Sequence, residues 1–136
     1  MRHFSKQLML TLVFVNLPTL LLANSIHTCP KSIAEITLLS WNLRGDGAFK
    51  PIPTGSIETY FDRKGNVSVN HGLPSAKYTY QKINDQVGKI RFTHPSGPRQ
   101  GLTYTSTLNC KQGSFNAVTD DGRSNLQGNF LIMTHQ

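Results

Sequence analysis

Acidic residues are scarce in this chain: Asp and Glu number seven against 14 Lys and Arg, and the formal net charge is +7. Glycoside hydrolysis needs two carboxylates that face each other across a cleft, whereas most acids here stand in turn motifs, where they cap backbone groups. Serines are plentiful, but none stands in a Gly-x-Ser-x-Gly turn. We therefore expect neither an enzyme nor a cofactor.

A concentrated basic region is also missing. Nucleic-acid-binding proteins usually gather Lys and Arg on one face or arm, but here they are scattered between Arg63 and Arg99. No nucleic acid partner is therefore expected. A soluble basic surface and a weak attraction to an acidic partner or envelope surface both remain open.

Only two cysteines occur, Cys29 and Cys110. No paired Cys or His stands at metal-ligand spacing, so we predict no metal site. Two isolated cysteines in an oxidising compartment most often form one disulfide, which predicts a bridge between them. His71 and His94 stand in separate loops, and we interpret both as solvated side chains.

Long hydrophobic runs are absent except over residues 8–22, which is shorter than the roughly 20 residues of a membrane-spanning helix. Arg2 and Lys6 precede this run and small residues follow it. These are the three parts of a secretory signal peptide. We predict a leader over 1–25, a single domain over 26–136, a periplasmic or secreted location and no stable membrane span.

Helical periodicity is almost absent from the predicted domain, and only Pro30–Ile36 fits a short helical turn. After it, stretches of alternating apolar residues are separated by turn residues, as in a sandwich or barrel. Their predicted centres are Thr37–Leu43, Ser56–Phe61, Val67–Val69, Tyr78–Tyr80, Ile90–Phe92, Leu102–Leu108, Phe115 and Leu126–Ile132.

Strict alternation indicates that one face of each strand is packed and the other is wet. About eight strands are enough to close a barrel, which removes exposed sheet edges. We therefore predict an all-β fold, an antiparallel meander in a closed or nearly closed barrel. A Greek-key sandwich is the alternative, but among the connections only residues 44–55 are long enough for its crossing loops.

The order of these motifs resembles that of bacterial lipocalin-like (calycin) domains. The matching residues are Trp41, Phe61-Asp62-Arg63-Lys64-Gly65, Tyr78-Thr79-Tyr80 and Gly128-Asn129-Phe130. The sequence departs from the pattern in the first strand, where Leu39-Ser40-Trp41 replaces Gly-x-Trp. The resemblance implies a barrel with a central pocket, and it implies no catalytic residue.

Aromatic residues are the candidate ligand contacts, because an alternating register brings them together inside a barrel. The set is Trp41, Tyr78, Tyr80, Phe92 and Tyr104. They either fill the interior or orient a small apolar or amphipathic ligand. The first predicted function is therefore an exported ligand-binding module.

The alternative function is directed at a protein partner. The segment His94-Pro95-Ser96-Gly97-Pro98-Arg99 is a proline-stiffened loop, suited to an inhibitor or an adhesin-like factor. Its candidate partner contacts are His94, Pro95, Pro98 and Arg99. This alternative rests on architecture alone, which does not determine function.

Overall fold

A computed structural model describes residues 28–135, so the predicted leader lies outside the described residues. Eight antiparallel strands follow one another around a closed barrel, and β1 pairs with both β2 and β8. The strands are β1 (Ile36–Gly45), β2 (Ser56–Phe61), β3 (Asn66–Val69), β4 (Ala76–Lys82), β5 (Val87–Thr93), β6 (Thr103–Asn109), β7 (Ser114–Thr119) and β8 (Asn125–Thr134). The predicted all-β meander barrel is confirmed.

Alternation of side chains places the core inside the barrel. In β5, β6 and β8 every second residue is buried and its neighbours are more exposed. Phe61, Val67, Ile90 and Ala117 are almost completely buried. The inward register predicted for the sixth and eighth strands is confirmed.

The predicted helical turn over Pro30–Ile36 is present only as one hydrogen-bonded turn. The N–H of Ile36 donates to the carbonyl of Ile33 at 3.1 Å. Glu35 then has φ 65°, in the left-handed region, so the chain leaves helical geometry and enters β1. Within residues 28–135 no helix is long and apolar enough to cross a membrane.

The two ends of the barrel are closed differently. At one end, the Cys29–Cys110 disulfide is present and segment 28–35 crosses the barrel. Ile33 from this segment is 1% exposed. At the other end lie two 3₁₀ turns, Gly47–Phe49 and Gly97–Arg99. We call this second end the mouth, and it carries the loops β1–β2, β3–β4, β5–β6 and β7–β8.

Candidate functional site

The barrel interior is largely filled. The space left between its inward side chains measures about 60 Å³, whereas pockets for small organic ligands are of the order of 300–1,000 Å³. A volume of this size accommodates a water molecule or two. The interior thus corresponds to the filled-core alternative for its aromatic residues.

Two of the predicted ligand contacts lie together near the mouth. The rings of Phe92 and Tyr104 are 5.0 Å apart, and Phe49 packs edge-on against Tyr104 at 5.1 Å. Phe49 comes from the first 3₁₀ turn and is fully buried. These three rings pack together beneath the mouth.

Tyr78 and Tyr80 are occupied by structural contacts. The Tyr78 hydroxyl donates to the carbonyl of Asp62 at 2.8 Å, and the Tyr80 hydroxyl donates to the carbonyl of Pro30 at 2.6 Å. Both bonds lie towards the end opposite the mouth. The two hydroxyls therefore tie strand β4 to the β2–β3 turn and to segment 28–35, while Tyr78 is also the cross-strand partner of Phe92.

Trp41 lies on the outer face of the barrel, and the expectation that it points inward is wrong. Its chain neighbours Ser40 and Asn42 line the interior space. Across the β1–β8 seam Trp41 pairs with Asn129, which is exposed. Side chains alternate along a strand, so Trp41 points away from the interior.

The predicted partner loop folds into the mouth. His94 is only 8% exposed and Pro95 is buried. The interpretation of His94 as a solvated side chain is therefore wrong, because its ring packs beside Phe92 and Tyr104. Nδ1 of His94 lies 2.8 Å from the Ser96 carbonyl. A carbonyl only accepts, so Nδ1 carries the proton.

The remaining histidines of the described segment lie outside the barrel. His71 is exposed, as predicted, and its Nε2 is 2.7 Å from a carboxylate oxygen of Glu58. Nε2 of His135 is 2.7 Å from the Thr37 hydroxyl. Over residues 28–135 no three His, Cys, Asp or Glu side chains are arranged to hold a metal ion.

Stability should fall in mild acid because of His94. Burial lowers the pKa of His94 below its ordinary 6.5; the hydrogen bond with the Ser96 carbonyl opposes this shift, and the charge of Arg99 adds to it. As pH drops below about 6.5, the unfolded chain takes up this proton before the folded chain does, so stability present at neutral pH is lost.

A His94→Gln variant tests this, since its amide can still donate to the Ser96 carbonyl. Between about pH 7.5 and about pH 5.5, wild-type Tm is expected to fall several degrees further than the Tm of the variant. Equal slopes of Tm against pH would show that His94 does not control acid stability.

An apolar groove opens at the mouth above these residues, with a volume of about 310 Å³. We call it the mouth groove. Its apolar walls are Pro51, Ile52, Pro53, Ile57, Val69 and Pro98. Its polar contacts are Asn70, Ser96, His94 and Arg99. His94 and Arg99 also line the interior space, so they form the floor of the groove.

Arg99 is held in place at this floor by the first 3₁₀ turn. Its Nη2 donates to the carbonyl of Phe49 at 2.9 Å, and its guanidinium carbon lies 5.4 Å from the centre of the Phe49 ring. The side chain is half-buried, and this burial lowers the pKa of Arg99. Among the residues described, none forms an ion pair with it.

The sequence interpretation missed the walls of the groove. Residues 44–55 are predicted only as a long connection between two strands. The Pro-Ile-Pro sequence in this loop could have indicated the groove, because Ile52 is apolar but belongs to no strand pattern. In the structure Ile52 packs against the core. The predicted loop residues Pro98 and Arg99 do belong to the groove.

Comparisons with known proteins identify no relative. The chain matches no protein-family model, and neither curated proteins nor solved structures give a significant match. The structure shows a closed barrel of eight strands, and membership of the lipocalin-like family stays a prediction.

Proposed function

We propose that this protein is an exported binding module that holds a small amphipathic molecule in the mouth groove. One observation carries the proposal: a groove of about 310 Å³ has mostly apolar walls and a cationic side chain on its floor. Ligand sites in proteins typically combine apolar walls with a few polar groups that fix orientation.

The volumes of the mouth groove and of the interior space favour the groove as the ligand site. The groove is within the range of small-ligand sites, whereas the interior space measures about 60 Å³. His94 and Arg99 line both spaces and therefore lie between them. A ligand at the mouth therefore needs no rearrangement of the core.

Export is supported by the disulfide together with the predicted leader. Cys29 and Cys110 are buried and joined, and such bridges persist in oxidising compartments. A periplasmic or secreted binding module is consistent with both features.

A role directed at a protein partner has weaker support. His94 and Pro95, two of the four predicted partner contacts, are buried and cannot contact a protein at the surface. Pro98 stays exposed, but it also forms a wall of the groove. The same loop thus fits the small-ligand proposal better.

Ile52→Asn tests the groove, with Leu43→Asn as the matched control on the outer face, where Leu43 is 66% exposed. The neutral fluorophore N-phenyl-1-naphthylamine serves as the probe. An apolar side chain buried against a ligand contributes roughly 1.5–3 kcal/mol, so Ile52→Asn is expected to raise the Kd by about tenfold or more. Leu43→Asn should leave it unchanged.

Probe fluorescence during titration gives each Kd, and circular dichroism verifies that both variants fold. No binding to the wild type would overturn the proposal. Equal affinities of the wild type and Ile52→Asn would show that the probe lies elsewhere.

A further inference from the structure

Arg99 brings an uncompensated positive charge to an apolar groove. A half-buried charge loses part of its hydration, which is unfavourable unless an opposite charge or hydrogen bonds replace the water. Within residues 28–135, Oδ1 of Asp46 accepts a hydrogen bond from the backbone N–H of Asn125, and Asp120 pairs with Arg91. No carboxylate of the described chain pairs with Arg99.

The groups that surround Arg99 do not supply a negative charge either. Burial raises the pKa of Tyr104, so its hydroxyl is neutral at physiological pH. His94 has a lowered pKa and is neutral too. The floor of the groove therefore carries one net positive charge.

The guanidinium has donors to spare. It holds five N–H groups in a planar fork, and one is used on the Phe49 carbonyl. One face is covered by the Phe49 ring. The fork matches a carboxylate, which accepts two parallel hydrogen bonds.

We infer that the ligand of the mouth groove is a monocarboxylate with an apolar body, whose carboxylate pairs with Arg99 while its body lies along Ile52, Pro53 and Pro98. This inference rests on the proposed function and names its ligand class. The groove volume of about 310 Å³ suits a medium-chain or single-ring acid rather than a large lipid.

Octanoate and 1-octanol form a matched pair of ligands, since they share a chain and differ in the charged head. Isothermal titration of the wild-type protein is expected to give a Kd for octanoate at least about tenfold lower than for octanol, because hydrogen bonds to charged groups are the strong ones. This comparison needs no variant. Equal Kd values would overturn the inference.

Arg99→Met removes the charge at similar length, and Arg99→Lys keeps it without the fork. Octanoate affinity should fall about tenfold in Arg99→Met and less in Arg99→Lys, whereas octanol affinity should not change. Arg44→Met, on the exposed outer side of β1, is the control and should behave as the wild type.

The outcomes separate this inference from the proposed function. If Arg99→Met lowers the affinity for octanoate and for octanol equally, Arg99 does not recognise the carboxylate. The groove then binds ligands, but the inference is wrong. If the wild type binds the neutral fluorophore but not octanoate, the inference is also wrong. If the wild type does not bind the fluorophore either, the proposed function fails.

Discussion

Replacing Gly128 by alanine is expected to destabilise the barrel by about 3 kcal/mol, since forcing atoms into a filled interior costs about that much. Gly128 lies in β8 and pairs with Asn42 of β1. A Cβ at this position would overlap the carbonyl oxygen of Trp41 and approach the Phe115 ring at 2.7 Å. The obstacle includes backbone, which cannot move without opening the seam that closes the barrel.

Gly45→Ala is the matched control, because Gly45 lies on the same β1–β8 seam. There a Cβ would meet Cδ1 of Ile52 at 2.7 Å and Cδ1 of Leu126 at 2.9 Å. Both are ends of flexible side chains that can rotate away. Thermal unfolding should show a Tm loss of roughly 10 °C for Gly128→Ala and much less for Gly45→Ala. Equal losses would contradict the seam argument.

The architecture was readable from the sequence because alternation with period two leaves few solutions. Ser56–Phe61 was predicted with its observed bounds, and β8 with its inward residues Leu126 and Phe130. Short connections between successive strands favour neighbours in space, so the strand order followed. Closure was predictable because eight strands that pair in sequence order are enough to bring the last strand beside the first.

The orientation of β1 was misread because both of its faces are mixed. The outward set includes Leu39, Trp41 and Leu43, while Ser40 and Asn42 face inward. Hydrophobicity alone therefore points to the wrong face. Pairing with Phe130, which is buried, fixes Ser40 inside, and that pairing is not visible in the sequence.

The groove depends on loops, whose path no periodicity encodes. The prediction of a solvated His94 follows from its place in a loop, because loops usually run over the surface. In the structure, backbone bonds from His94 to Leu102 and from Gly101 to His94 fold this loop over the mouth. Tertiary contacts with Phe49, which is distant in sequence, complete the floor of the groove.

Reduction of the disulfide is expected to lower Tm by roughly 10–15 °C. Cys29 and Cys110 are separated by 81 residues, and closing so long a loop stabilises by about 4 kcal/mol in the chain-entropy model. Both half-cystines also bind the β4–β5 connection: their N–H groups donate to the carbonyls of Asp85 and Gln86 at 2.7 and 2.8 Å.

The loss should begin at the N-terminal segment. Without the bridge, segment 28–35 is held by the burial of Ile33, by the hydrogen bond from Tyr80 to Pro30, and by backbone bonds from Cys29 and Glu35. Hydrogen exchange in reductant should therefore accelerate first at the hydrogen-bonded amides of Cys29, Glu35 and Ile36, and later in β5 and β6. Differential scanning calorimetry with and without reductant measures the loss of Tm, and thiol titration verifies that the disulfide is cleaved.

A Cys29→Ala, Cys110→Ala double variant is the control: its Tm should be low and should not change on addition of reductant. Two free thiols with an unchanged Tm would show that barrel closure, not the bridge, determines the stability of this end.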